Sequence, residues 1–113
     1  MSQLLRGEVW LTTLDPTVGR EQAGTRPALI ISDDIFNQSH AELVVVLPIT
    51  SKSKNVRSHV PVSPPEGGLQ VASYIKCEDV RSISIQRFGR RLGKVTVQTM
   101  NEVEQRLRII LSL

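Results

Sequence analysis

Apolar and polar positions recur along this chain with two periods, and most of it follows the shorter one. Over residues 6–14, Val9, Leu11 and Thr13 interleave with Trp10, Thr12 and Leu14. That pattern predicts a strand with both faces partly covered. Gly7 allows a sharp entry, and Asp15-Pro16-Thr17 supplies the turn chemistry that ends it. A polar stretch with two glycines then runs to Thr25. At about ten residues it is longer than an ordinary hairpin connection and reads as a functional or mobile loop. Residues 28–32 open as an uninterrupted apolar run, a second, buried strand. Residues 33–37 suit one helical turn capped by Ser32 or Asp33. Residues 43–49 are strongly β-branched and predict a third strand, with Pro48 assigning its end to a sheet edge or a bulge.

Shorter strands are expected over residues 59–63, 70–76 and 79–83, with Pro64-Pro65-Glu66-Gly67-Gly68 as a clear break. Residues 88–95 hold glycines and three basic residues, and read as a turn leading into a last strand. The period then changes. Met100, Val103, Leu107, Ile110 and Leu111 fall at helical spacing, behind a Thr96 whose hydroxyl can cap the helix. Several short strands and one terminal helix predict an antiparallel α+β fold in a single domain spanning residues 1–113.

Composition narrows this picture. Aromatics are only 4% of the 113 residues against 40% apolar overall, so the core must be aliphatic. A net charge of +3 permits a polyanionic partner without specifying one. A single cysteine excludes an internal disulfide and a multi-cysteine zinc cage, and favours a reducing compartment. No apolar run approaches a membrane span of about 18 residues, and the first residues lack the apolar block of a secretory signal. A soluble, cytoplasmic protein is expected.

The stretch Gly19-Arg20-Glu21-Gln22-Ala23-Gly24-Thr25-Arg26-Pro27-Ala28-Leu29-Ile30-Ile31 carries the strongest chemical signal. Proline pushes the residue before it towards extended geometry and suits the first position of a strand. A guanidinium is thereby held at the mouth of a rigid strand, a good place for a phosphate. Thr50 stands where the third apolar strand runs out, either as a plain β-branched capping residue or as a hydroxyl facing the same cleft as Arg26. Their convergence requires the two strands to be brought together.

Other candidates are weaker. Glu78, Asp79 and Arg81 read either as a structural ion-pair cluster or as carboxylates that meet base donors. His40 and His59 are the only histidines that could form an acid–base couple. Cys77 has no placed base and reads as a packed residue. Arg87, Arg90, Arg91 and Lys94 form a basic cluster, by default a solvated face and otherwise a phosphate contact. No phosphate-cradling loop, dinucleotide fingerprint or metal-ligand spacing occurs, so neither cofactor nor metal is expected.

Taken in order, Arg6-Gly7-Glu8-Val9-Trp10, Asp15-Pro16-Thr17, the Gly19 to Ile31 block, Leu47-Pro48-Ile49-Thr50-Ser51, Glu78-Asp79-Val80-Arg81-Ser82-Ile83 and Leu92-Gly93-Lys94-Val95 resemble the MazF (PemK-like) toxins. These are the endoribonuclease halves of bacterial toxin–antitoxin pairs. The resemblance covers essentially the whole chain. It implies a small barrel-like antiparallel sheet with a C-terminal helix, a homodimer, single-stranded RNA bound along the dimer interface, and a cognate antitoxin. It also implies metal-independent, sequence-selective cleavage by the ribose 2′-hydroxyl, leaving 2′,3′-cyclic phosphate and 5′-hydroxyl ends.

By that resemblance Arg26 and Thr50 match the catalytic pair, with Glu21 a candidate for removing the 2′-hydroxyl proton. Arg20, Gln22, Ser51, Lys52, Glu78, Asp79 and Arg81 fall at RNA-binding positions, Asp79 replacing the amide often found there. Arginine is a poor general base, because its pKa exceeds about 12. Its expected role is to stabilise charge on the phosphoryl oxygens. The alternative is a non-catalytic relative of the same fold that binds a protein such as gyrase.

Overall fold

A computed structural model of the chain describes residues 3–14 and 25–113. Among the described residues seven strands carry the fold: β1 (Glu8–Thr12), β2 (Arg26–Ile30), β3 (Leu43–Thr50), β4 (His59–Val62), β5 (Ser73–Lys76), β6 (Arg81–Ser84) and β7 (Phe88–Lys94). Two α-helices join them, the single turn α1 (Asp34–Asn37) and the terminal α2 (Val97–Leu111). The sheet order is β4-β5-β3-β2-β1-β7, with β6 also paired to β3, and every pairing is antiparallel.

Side chains alternate across this sheet, and both of its faces are covered. Val9, Leu29, Leu47 and Ile49 point into one apolar cluster. Their neighbours Trp10, Ala28, Ile30, Val44 and Val46 point into the other. Burial on both sides is why the central strands read as continuous apolar runs rather than as strict alternation. The second cluster closes over an edge-to-face contact between Trp10 and Phe88, with ring centroids 6.1 Å apart.

Helix α2 packs its expected stripe on the first cluster, with Val103 buried and Met100 and Leu107 beside it. Ile110 and Leu111 leave the core, 41% and 50% exposed. Thr96 caps the helix as expected, its hydroxyl accepting the Thr99 N–H at 3.1 Å. A second cap comes from the 3₁₀ turn Glu66–Gly68. One Glu66 carboxylate oxygen accepts from the Thr96 amide at 2.9 Å and from the Thr99 hydroxyl at 2.5 Å. Burial pushes the Glu66 carboxyl upward, but these donors and the Thr96 hydroxyl outweigh it and hold it below its ordinary value.

Two expected elements differ. Pro48 lies buried inside β3, not at an edge or bulge. The Ile31 N–H donates to the Val45 carbonyl at 3.0 Å, so residue 45 faces β2 with its backbone polar groups. By strand alternation Pro48 turns its nitrogen the other way. There β3 changes neighbour, from β6 along Leu43–Val46 to β5 at Ile49 and Thr50. The missing donor falls at the switch, where no ladder partner waits for it. The second difference is β7, which is a full seven-residue strand and not a turn. Its outer edge is met by the 3₁₀ turn. A Cβ on Gly68 would lie 2.0 Å from the Leu92 carbonyl oxygen, and one on Gly93 2.6 Å from the Gly67 carbonyl carbon. Two bare backbones pack here because neither carries a side chain.

Gly68 also holds φ +72, so Gly68→Ala is expected to lower stability by roughly 3 kcal/mol in urea unfolding. A parental midpoint would mean that the turn does not bear on β7. The Glu66 contribution has a definite pH sign. It is fully present above the ordinary value of 4.5 and fades as pH falls through the lowered folded value. Glu66→Gln is expected to flatten that limb of the acid-unfolding curve, followed by circular dichroism.

Candidate active site

The pairing of β1 with β2 places Thr12 opposite Arg26, and the Thr12 hydroxyl donates to the Arg26 carbonyl at 3.1 Å. This ties down the first residue of β2 on one side. On the other side, the ladder to β3 runs through Ile30, Leu29 and Ala28 and stops. Continuing the same register sets Pro27 opposite Ile49 and Arg26 opposite Thr50. Leu29 and Leu47 form a hydrogen-bonded pair by the alternation set at Ile31, so position 27 is the next residue that should donate to β3. Proline has no N–H to give. Past it the continued register would set Arg26 and Thr50 at a non-bonded position, the kind in which side chains approach most closely, and both line one cleft.

A cleft of about 340 Å³ opens there, lined by Arg26, Pro27, Thr50, Ser51, Gln70 and Arg90 over apolar walls from Leu11, Ile49, Leu69 and Leu92. No carboxylate lines it among the described residues. Among the described residues the exposed Arg26 side chain makes no ion pair. Thr50 is half-buried and pairs with Tyr74 of β5. Its hydroxyl oxygen accepts the Lys52 N–H at 3.1 Å, which fixes the oxygen and leaves the hydroxyl hydrogen to donate elsewhere. The site thus offers a fork of guanidinium donors and a hydroxyl donor, the groups that hold a tetrahedral oxyanion.

Ser51 shares this cleft, and Lys52 contributes the amide that fixes Thr50. Arg20, Glu21 and Gln22 lie outside the described residues. Glu78, Asp79 and Arg81 are not among the lining residues and gather instead at the corner between β5 and β6. Glu78 accepts from the Ser58 hydroxyl at 2.7 Å and meets His59 Nε2 at 3.0 Å. Burial raises its carboxyl, but hydrogen bonds from Ser58, its own backbone N–H and His59 leave it below the usual range. Asp79 holds Arg81 at 3.0 Å and approaches Lys76 at 3.8 Å.

His59 is buried, His40 is exposed, and neither lines the cleft. Cys77 is a packed core residue whose thiol is pushed up to about 11 by burial. Among the described residues no three His, Cys, Asp or Glu side chains gather to hold a metal ion. Gln70 was not legible as a cleft residue, because nothing in its neighbourhood distinguishes it from an ordinary strand residue.

The model of the PemK-like, MazF-like toxins of type II toxin–antitoxin systems matches residues 5–111. The chain belongs to that family. Among relatives of this toxin, the endoribonuclease PemK of Escherichia coli is 42% identical over 98% of this chain and 84% of its own. The endoribonuclease MazF9 of Mycobacterium tuberculosis is 34% identical over 96% of each chain. In three dimensions the toxin is similar to a mycobacterial endoribonuclease solved in complex with its cognate antitoxin. That match has a TM-score of 0.80 and 27% identity, and covers 97% of this chain and 96% of the other. A MazE–MazF structure from Deinococcus radiodurans matches with a TM-score of 0.82 and 27% identity over 100% and 99% of the two chains. The expected antiparallel sheet with its terminal helix is the fold of these toxins.

The role of Pro27 in holding the cleft open is testable in this toxin. Pro27→Ala restores an N–H opposite Ile49, and the new amide is expected to exchange slowly with solvent deuterium as the ladder extends. Rapid exchange at residue 27 would assign the open mouth to another cause.

Proposed function

We propose that this toxin is a metal-independent endoribonuclease that cuts single-stranded RNA at a short sequence. The observation that carries the reading is that Arg26 and Thr50 line one cleft, where among the described residues no carboxylate claims the guanidinium. A phosphodiester seated between them places its non-bridging oxygens against the guanidinium fork and the Thr50 hydroxyl. The ribose 2′-oxygen attacks the adjacent phosphorus in line, forming the 2′-O–P bond as the P–O5′ bond breaks. Negative charge grows on the non-bridging oxygens, where Arg26 and Thr50 already stand. The 2′-hydroxyl proton passes to a base, for which Glu21 is the proposed group, and the 5′-oxygen takes a proton as it leaves. The products are a 2′,3′-cyclic phosphate and a 5′-hydroxyl. Single strands are preferred because a duplex hides the base edges.

In this reading the toxin works as a homodimer in the cytoplasm and is silenced by a cognate antitoxin, as the complexes named for its structural relatives suggest. Arg20, Gln22, Ser51, Lys52, Glu78, Asp79 and Arg81 contribute to holding RNA. A gyrase-type binder of the same fold would give Arg26 and Thr50 no reason to share a cleft.

Arg26→Ala is expected to slow cleavage by roughly 10²–10³-fold with fold retained. Thr50→Ala is expected to slow it roughly tenfold or more by loss of one donor. Both are read by gel assay of a labelled oligoribonucleotide, with circular dichroism as the folding control. Parental rates in both variants would remove the pair from the reaction. Cleavage is expected to persist in excess EDTA, and a loss that magnesium restores would overturn the metal-free mechanism.

A further inference from the structure

The four basic residues of the β7 region divide once their contacts are read. Arg91 is claimed by the buried Glu8, Nε to carboxylate at 2.8 Å. Arg87 donates to the Thr13 carbonyl at 3.1 Å. Arg90 has no hydrogen bond or ion pair among the described residues, is exposed, and lines the cleft with Arg26 and Thr50.

Its aim has a backbone cause. β7 meets β1 through the pairs Glu8–Lys94, Val9–Gly93, Trp10–Arg91 and Thr12–Phe88, so it carries more residues than β1 over the same length. Leu92 is the extra residue at one irregularity, and Gly89 and Arg90 together oppose Leu11 at the other. Bulges re-aim side chains and concentrate near active sites. Both β7 residues that line the cleft, Arg90 and Leu92, come from these two places. Leu11 in turn pairs with Pro27. Arg90 therefore stands across β1 from the Arg26-Pro27 joint, two strand spacings away, or roughly 10 Å backbone to backbone.

We propose that Arg90 is a second phosphate-binding residue, one that grips the phosphodiester next to the scissile one and sets where the RNA backbone lies. The inference rests on the nuclease reading above. A phosphate held by Arg26 and Thr50 satisfies those two donors and leaves Arg90 facing the continuing strand. Among the described residues neither Arg26 nor Arg90 has an ion-pair partner, and successive phosphates supply the charge. Arg90 is a positioning group, not a participant at the reacting phosphorus.

The test uses the intact toxin and an oligoribonucleotide of a cleaved sequence with a 2′-deoxy group at the scissile nucleotide, which binds without being cut. Arg90→Ala is expected to weaken binding about tenfold and to make the slope of log K against log salt shallower by about 0.7, the value for one phosphate contact on a single strand. Arg90→Lys is expected to restore most of the slope. A neutral methylphosphonate walked along the strand is expected to weaken binding to the parent at one position beside the scissile phosphate. At that position it should cost Arg90→Ala nothing. Parental affinity and slope in Arg90→Ala, with Arg26→Ala still inactive, would overturn this assignment and leave the nuclease standing. Indifference of the parent to every neighbouring methylphosphonate would overturn it without relying on a variant. A parent that neither binds nor cuts any RNA offered would overturn the nuclease reading itself.

Discussion

A single absent hydrogen-bond donor shapes the working end of this molecule. Along Ile30, Leu29 and Ala28 the second strand is locked to the third by its ladder and by burial on both faces. At Pro27 the ladder has nothing more to offer β3, yet the backbone direction is already set. Arg26 is therefore carried by a rigid strand without being paired across it, and Thr50 arrives opposite by register alone. Rigid support with unspent bonding capacity is what a group that must meet a developing charge requires. A longer ladder would have closed the same space with backbone hydrogen bonds.

The distribution of charge fits that geometry. Glu8 lies buried and draws in Trp10, Arg91 and the Leu5 amide; Asp79 occupies Arg81; Glu78 is bonded to Ser58 and His59. These carboxylates are engaged in fastening strands and corners. Among the described residues none of them lines the cleft, where Arg26 and Arg90 stand without an ion pair. Whether a basic residue is structural or available is decided here by the nearest carboxylate, not by net charge.

Much of this was legible in the sequence, and the gaps have physical reasons. The apolar runs of β2 and β3 announced buried strands, and the Arg26-Pro27 joint announced a guanidinium at a strand mouth. The spacing of Met100, Val103 and Leu107 announced α2 and its inner face. Pro48 misled because a proline's place depends on which neighbour its nitrogen faces, and that follows from the pairing of three strands at once. The glycines of β7 suggested a turn because their use, close passage of another backbone, belongs to a contact made more than twenty residues away in sequence. Glu78 and Asp79 were read either as ion pairs or as readers of bases, and only coordinates show the partners they hold within the protomer. Arg90 could not be told from Arg91, because a register shift within one strand separates their fates.

The turn that carries Glu66 has two duties. Its carboxylate fastens the start of α2, and its glycines lie against β7 just before Leu69 and Gln70 enter the cleft wall. Helix α2 is thus bolted, through that turn, to one side of the site. A change that loosens the far end of the molecule reaches the cleft wall through one carboxylate and two bare backbones.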